Sequence, residues 1–372
     1  MVFTNYPIWA ACRFGLRKSQ VRSFWPHGLA ARIARTLRLP YTEPMLHKAF
    51  SRWAAARLVR EDWDVVHIFS GVAEEVLLAL EGRTTTLRML VRGSSHIRTQ
   101  SRILAEEEIR TGCHVNSPSS WMITREQAEY ALADRVVVLS SFARESFLSE
   151  GENPSRVCVL PLGASVEAFR PRADVVEERC RRILSGEPLH ILYVGNISFQ
   201  KGVWDMAYII RGLQSDRFRF RLVGEVQSNV RWLKKELHTK ADFISKQPQH
   251  SLPEHYAWGD VFIFPTLQDG FAVVLAQAAM SGLAILTTTN CAGKDLVRDG
   301  ETGFVHPIRS PESFVEHLKW CDANREQLAA MARRIYTEFR PRTWSQVADD
   351  FEQIVRSEID QTRRPMAVVA HR

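Results

Sequence analysis

Two doubly wound α/β domains are what the sequence predicts, and three observations predict them. Short apolar runs rich in β-branched residues alternate with longer amphipathic stretches along most of the chain. Such alternation builds parallel sheets covered by helices on both faces. At 372 residues the chain is longer than one ordinary core organises and suits two domains. The βα rhythm also stops and restarts, because PLGASVEAFRPR (161–172) and the charged helical stretch VVEERCRRIL precede a new strand near residue 190. The boundary is therefore expected near 170. Residues 1–170, completed by a helix at 343–360, form one domain; residues 171–342 form the second, and 361–372 read as a loose tail.

The strands of the first half are DVVHIF (64–69), TLRMLV (86–91) and RVVVL (135–139), each a short run with Val, Ile or Thr bounded by polar residues. Helical periodicity fills 97–110, 122–132 and 141–150. The second half repeats the scheme with HILYVG (190–195), FRFRLVG (218–224), VFIFP (261–265) and AILTT (284–288). Its helices are expected at 202–214, 271–281 and 311–337. The last strong helix, WSQVADDFEQIVRSEI (344–359), follows the proline-containing break FRPRT.

Composition narrows the function classes. Hydrophobic residues make up 45% and charged residues 24%, as in a soluble globular protein, and no apolar run reaches the roughly 18–20 residues that span a bilayer. The N-terminus lacks the basic, apolar and small-residue order of a signal peptide, so a cytoplasmic protein is expected. Six scattered cysteines, without CxxC or Cys/His ligand spacing, argue for reduced structural thiols and against a zinc site or disulfide framework.

The net charge of +7 is unevenly spread. Residues 1–60 carry eleven basic side chains, from Arg13 to Arg60, opposed only by Glu43, with Trp9, Phe14, Phe24, Trp25, Phe50 and Trp53 interleaved. That mixture suits peripheral contact with an anionic membrane, and equally a solvated basic face over a packed domain. No DNA- or RNA-binding motif accompanies it, so nucleic acid is not an expected partner.

Three segments carry chemistry. In YVGNISFQKG (193–202) a strand ends at Val194-Gly195, and Lys201-Gly202 open the next helix after a polar loop. Backbone N–H groups, the helix dipole and one ammonium can converge there on an anion. In WGDVFIFPTLQDGFAVVLAQAAMSG a buried strand leads to Asp269-Gly270-Phe271 and a helix carrying Gln277. Gln277 lies about 9 Å along the helix axis from its tip, the separation of a ribose from a diphosphate held at that tip. Asp269 also reads as a plain N-cap and Gln277 as a surface amide, but both fall in one spacing of eight. CAGKDLVRDGETGFVHP (291–307) adds a third loop at the same end of the sheet.

Together these motifs resemble the family 4 (group 1) retaining glycosyltransferases of GT-B architecture, over nearly the whole chain. The family pattern VGR-x-x-x-x-KG, adv-x-x-x-PS, EGFG-x-x-x-x-E-A-x-x-x-G and G-x-x-E-x-x-x-DG-x-x-G appears here as VGNISFQKG, GDVFIFPT, DGFAVVLAQAAMSG and AGKDLVRDGETG. RGSSHIRTQ (92–100), EYALADRVVVLSSFARESF (129–147) and LPLGASVEAFRP (160–171) resemble the family's first half.

The resemblance implies two Rossmann-like domains facing across a cleft, the first on the acceptor side and the second binding a nucleotide-diphosphate sugar. It implies metal-independent, retaining transfer to a glycan or lipid-linked glycan acceptor, with no cofactor. Lys201 would bind the diphosphate, with Gly195 and Asn196 in the same loop, and the backbone of Gly270, Phe271 and Ala272 would cradle a phosphate. Asp269 would face the transferred sugar, Gln277 the ribose, and Phe243 to Lys246 the base. His96 looks like a family histidine that contacts sugar or phosphate.

The sequence departs from the pattern at several points. Asn196 replaces the arginine that accompanies the lysine; Asp269 and Gln277 replace two glutamates; Thr266 replaces serine and Ala272 glycine; Leu162 and Ser165 stand where many members have Asn and Asp. The chain begins at VFTNYP without the expected first strand and Gly-rich loop, so its N-terminal part reads as either reduced or starting late. These departures motivate an alternative, a catalytically impaired nucleotide-sugar-binding or regulatory protein. A dinucleotide dehydrogenase fits poorly, since no GxGxxG follows a strand.

Overall fold

The computed structural model describes residues 1–37, 39, 42–164, 167–213 and 216–363. Ser165, Arg38 and the tail beyond residue 363 lie outside them. Two compact units divide the chain: Met1–Arg92 with Pro118–Val137 and Gln353–Arg372, and Gly93–Ser117 with Val138–Glu352. Among the described residues no helix is long and apolar enough to cross a membrane.

Twelve described strands form the sheets. They are β1 (Val2–Thr4), β2 (Val21–Ser23), β3 (Val65–Phe69), β4 (Leu87–Arg92), β5 (Arg135–Val138), β6 (Val157–Val159), β7 (Leu189–Val194), β8 (Phe218–Val223), β9 (Ala241–Ile244), β10 (Val261–Phe264), β11 (Ala284–Thr288) and β12 (Gly303–His306). The seven strands expected from the sequence are β3, β4, β5, β7, β8, β10 and β11. β1 and β2 pair in parallel as a separate ribbon, and β3-β4-β5-β6 make a four-stranded sheet.

In the first unit, strand β3 pairs in parallel with β4 and packs Val66 into a small core with Ala54, Ala55, Leu58, Val76 and Leu80. The helix Ser120–Leu132 fastens the loop after β3, because the buried Glu129 accepts hydrogen bonds from Gly71 N (2.6 Å) and Ala73 N (2.8 Å). Arg135 and Glu358 join β5 to the helix Trp344–Arg363 (Nε to Oε1, 2.7 Å).

The second unit is built on a six-stranded sheet in the order β12-β11-β10-β7-β8-β9, all parallel. β7 and β10 are buried along almost their whole length, which explains their near-continuous apolar sequence. From β7 the chain winds outward through β8 to β9; from β10 it winds the opposite way through β11 to β12. The order reverses between β7 and β10, and in open α/β sheets ligands bind outside the carboxyl ends of the strands at such a point. The loops that leave those two ends are 195–202 and 265–272.

One helix differs from the expectation. The stretch 311–337 is two helices, Pro311–Ala323 and Arg325–Glu338, separated at Asn324. Asn324 leaves the helical region (φ −119°, ψ 57°), and its side chain donates to Trp320 O at 2.9 Å. An asparagine side chain that competes for backbone groups favours a helix end, without the proline's signal in the sequence.

Candidate donor site

The site begins with two glycine-dependent close approaches. Gly202 has φ +75°, and a Cβ there would lie 1.7 Å from Pro265 O, so only glycine lets the loop after β7 press onto the loop after β10. Leu267 N and the Thr266 hydroxyl both donate to Gln200 O, at 3.0 and 3.2 Å. Gly270 makes the second approach. A Cβ there would lie 2.2 Å from Gly93 O, and the buried Gln268 Oε1 accepts hydrogen bonds from the Ser94 and Ser95 hydroxyls at 2.6 and 3.1 Å. The segments 93–96, 198–202 and 265–272 are thus held together within one compact unit.

This packing brings Lys201 and Asp269 together across 68 residues of sequence. The Lys201 ammonium lies 2.5 Å from Asp269 Oδ2, both side chains about one fifth exposed. Asp269 Oδ1 accepts from Phe271 N (3.1 Å) and Ala272 N (2.9 Å), which satisfies two donors at the start of the helix Val273–Met280. Asp269 N in turn donates to Asn290 O at 2.9 Å. Here the anion held by the ammonium and the positive helix end at the switch point is the Asp269 carboxylate itself. Asp269, expected to face a sugar, directs both carboxylate oxygens to its own loop and to Lys201.

Ala272 holds a strained position. Its φ of +63° and ψ of 72° put a buried alanine in the left-handed region, where glycine is the unstrained residue. Ala272→Gly is expected to raise stability by about 1 kcal/mol, the release of strain outweighing the entropy lost by glycine. A rise in the urea midpoint with an unchanged m-value checks this; a fall contradicts it.

Gln277 is buried, on the same helix, and its Oε1 accepts from the Tyr256 hydroxyl at 2.9 Å. Burial pushes the Tyr256 phenol well above its ordinary pKa, so it remains an O–H donor. With Oε1 engaged by tyrosine, the amide Nε2 is the group left to serve a further partner, as a donor.

Gly195 and Asn196 leave β7 beside Lys201's loop. Gly195 N donates to Val223 O (3.0 Å), Asn196 O accepts from Tyr193 Oη (2.8 Å), and the Asn196 side chain adds no charge. His96 is buried as the N-cap of the helix Ile97–Thr111; its Nδ1 accepts from Arg98 N at 3.2 Å, and its ring lies edge-on to Phe147. That acceptor role places the ring hydrogen on Nε2. Phe243 is the third residue of β9, and Lys246 is exposed in the loop beyond. β9 lies two strands, roughly 10 Å, from β7 across the sheet.

Sequence reasoning missed the residue that anchors the site helix from its far end. The buried Arg179 donates to Ser281 O (2.6 Å) and Gly282 O (3.1 Å), the carbonyls beyond the helix Val273–Met280, and to Tyr256 O (3.0 Å). Burial lowers its pKa to about 10, so it stays charged at neutral pH. A signal existed: Arg179 shares the i, i+3, i+4, i+7 face of Val176, Cys180 and Ile183, the buried side of its helix. Behind the site helix lies an apolar-lined cavity of about 370 Å³ that includes Phe271, Ala276, Ala279 and Leu296; Lys201 and Asp269 do not line it.

Residues 188–324 match the family of glycosyl transferases group 1. The chain carries a group 1 glycosyltransferase domain. That domain spans the switch-point loops, Lys201, Asp269 and Gln277.

The chain is 24% identical to a lipopolysaccharide 1,2-N-acetylglucosaminetransferase of Salmonella typhimurium, over 61% of this chain and 63% of that one. It is 27% identical to a GDP-mannose-dependent alpha-mannosyltransferase of Mycobacterium tuberculosis, over 78% of this chain and 71% of that one. The first of these matches therefore takes in less than two thirds of its relative. Among solved structures, Anabaena HepE in complex with UDP superposes with a TM-score of 0.63 at 13% identity, covering 83% of this chain and 82% of that one. The fold is GT-B, with two Rossmann-like parallel sheets.

Proposed function

We propose that this protein is a retaining, metal-independent glycosyltransferase that moves a sugar from a nucleotide-diphosphate donor to a glycan or lipid-linked glycan acceptor. The observation that carries the reading is the meeting of the Lys201 ammonium with the N-terminal end of the helix Val273–Met280 at the reversal of strand order. A leaving diphosphate gains negative charge as the glycosidic bond breaks, and a fixed ammonium with helix-end N–H groups stabilises that charge as it develops. These groups supply what a divalent cation supplies in other phosphate sites. The acceptor attacks on the face from which the diphosphate leaves, and a diphosphate oxygen takes its proton.

In this reading Lys201 shifts from Asp269 to the diphosphate, and Asp269 Oδ2 becomes available to a sugar hydroxyl. Gln277 Nε2 serves the ribose, while the backbone beyond β9, from Phe243 to Lys246, borders the base. The unit that contains residues 1–92 takes the acceptor, on the cytoplasmic side of an anionic membrane. The similarity to a lipopolysaccharide 1,2-N-acetylglucosaminetransferase supports a cell-envelope acceptor.

The doubly engaged Asp269 favours a second reading, a nucleotide-sugar-binding protein without turnover. Nucleoside diphosphate release over a panel of UDP-, GDP- and ADP-sugars with lipid-linked acceptors separates the two. Turnover with one donor is expected, retained in Gln277→Glu, whose carboxylate still accepts from Tyr256. Binding without turnover across the panel would establish the second reading.

A further inference from the structure

The helix Trp25–Thr36 is turned the wrong way for a protein surface. Its small residues Gly28 and Ala34 face inward; a Cβ at Gly28 would meet Asn5 O at 2.1 Å, and Ala34 is buried. Trp25, Leu29, Ile33 and Leu37 are 48–63% exposed. They recur every fourth residue, and each step of four turns the position by only about 40°, so the four share one face. Leu37 continues the row past the helix end, since its amide still donates to Ile33 O at 2.9 Å. An ordinary surface helix shows the reverse pattern.

The N-terminal stretch that carries this stripe is strongly cationic. Earlier in the same compact unit, Trp9 and Phe14 are exposed, with the Arg13 guanidinium over the Trp9 ring at 4.8 Å. Arg32 borders the stripe on the helix itself. Among the described residues Arg13, Arg17, Lys18, Arg22 and Arg32 are exposed and form no ion pair. Exposed tryptophan and aliphatic side chains on a helix bordered by Arg32, within a segment whose other exposed cations are uncompensated, suit the interface of an anionic bilayer, where apolar groups enter the acyl boundary and cations meet lipid phosphates. A protein groove would satisfy the apolar stripe but leave these charges without partners.

We propose that the outward face of the helix Trp25–Thr36, with Leu37, inserts into an anionic lipid surface and docks the protein there. The inference rests on the membrane-side acceptor reading for its purpose and on the exposed stripe for its chemistry.

The test is cosedimentation of the full chain at low salt with phosphatidylcholine vesicles containing about one third phosphatidylglycerol. The wild type is expected to bind these vesicles, to bind pure phosphatidylcholine far less, and to be released as salt rises. Leu29→Ser combined with Ile33→Ser should lower the partition coefficient roughly 10-fold or more. Both side chains are exposed, so an unchanged melting temperature is expected to accompany the loss. Thermal shift with UDP, GDP and ADP on the same samples reads the donor site separately, so its failure is not confused with failure to dock. The proposal is overturned if the wild type ignores anionic vesicles, if the double variant binds them equally, or if the stripe instead buries itself in a dimer that the variant dissolves.

Discussion

Lys201→Ala is expected to lower kcat/KM by roughly 10²–10³-fold, through kcat more than through donor KM. The lysine ammonium lies against the Asp269 turn at the helix tip, where the neighbouring Asn196 contributes no second charge. Removing it strips the fixed cation from the point where phosphate charge develops in the transition state. The folded state should tolerate the change, because Asp269 keeps its bonds to Phe271 N and Ala272 N and is partly exposed to water. Steady-state kinetics with a matched melting temperature check this, and an unchanged rate would remove Lys201 from the site.

Arg179→Met carries the largest expected stability effect, a loss of about 3–5 kcal/mol. Methionine fills similar volume but leaves the buried carbonyls of Ser281, Gly282 and Tyr256 without their charged donor. The damage should extend to the site. Ser281 and Gly282 follow the helix that bears Gln277, and Tyr256 places the Gln277 amide through its hydroxyl. Denaturant unfolding is expected to show the stability loss and donor KM to rise, with Arg179→Lys intermediate in both. A stability change below about 1 kcal/mol would contradict the anchoring role.

Much of this was legible in the sequence, for physical reasons that also mark its limit. β7, β10 and β11 announce themselves because strands buried on both faces read as near-continuous runs of apolar and β-branched residues. The loops at the switch point are legible because their glycines and lysine sit at fixed offsets from those strands. The three-residue strands β1, β2 and β6 are too short to show a period, and β12 opens on a glycine. The break at Asn324 depends on a side chain turning back on its own helix. The Lys201–Asp269 pair, the Tyr256–Gln277 bond and the left-handed Ala272 arise only when distant loops are packed together. Substituting alanine for glycine looks conservative in sequence; here it fixes strain at the first turn of the site helix.

A nucleoside diphosphate is expected to bind where Lys201 meets the tip of the helix Val273–Met280. Calorimetric titration of UDP, GDP and ADP into the wild type and Lys201→Ala tests it most directly. At least one nucleotide should bind the wild type with one-to-one stoichiometry and lose roughly 10-fold or more in affinity in the variant. Equal affinity in the two proteins would place the diphosphate elsewhere and contradict the account.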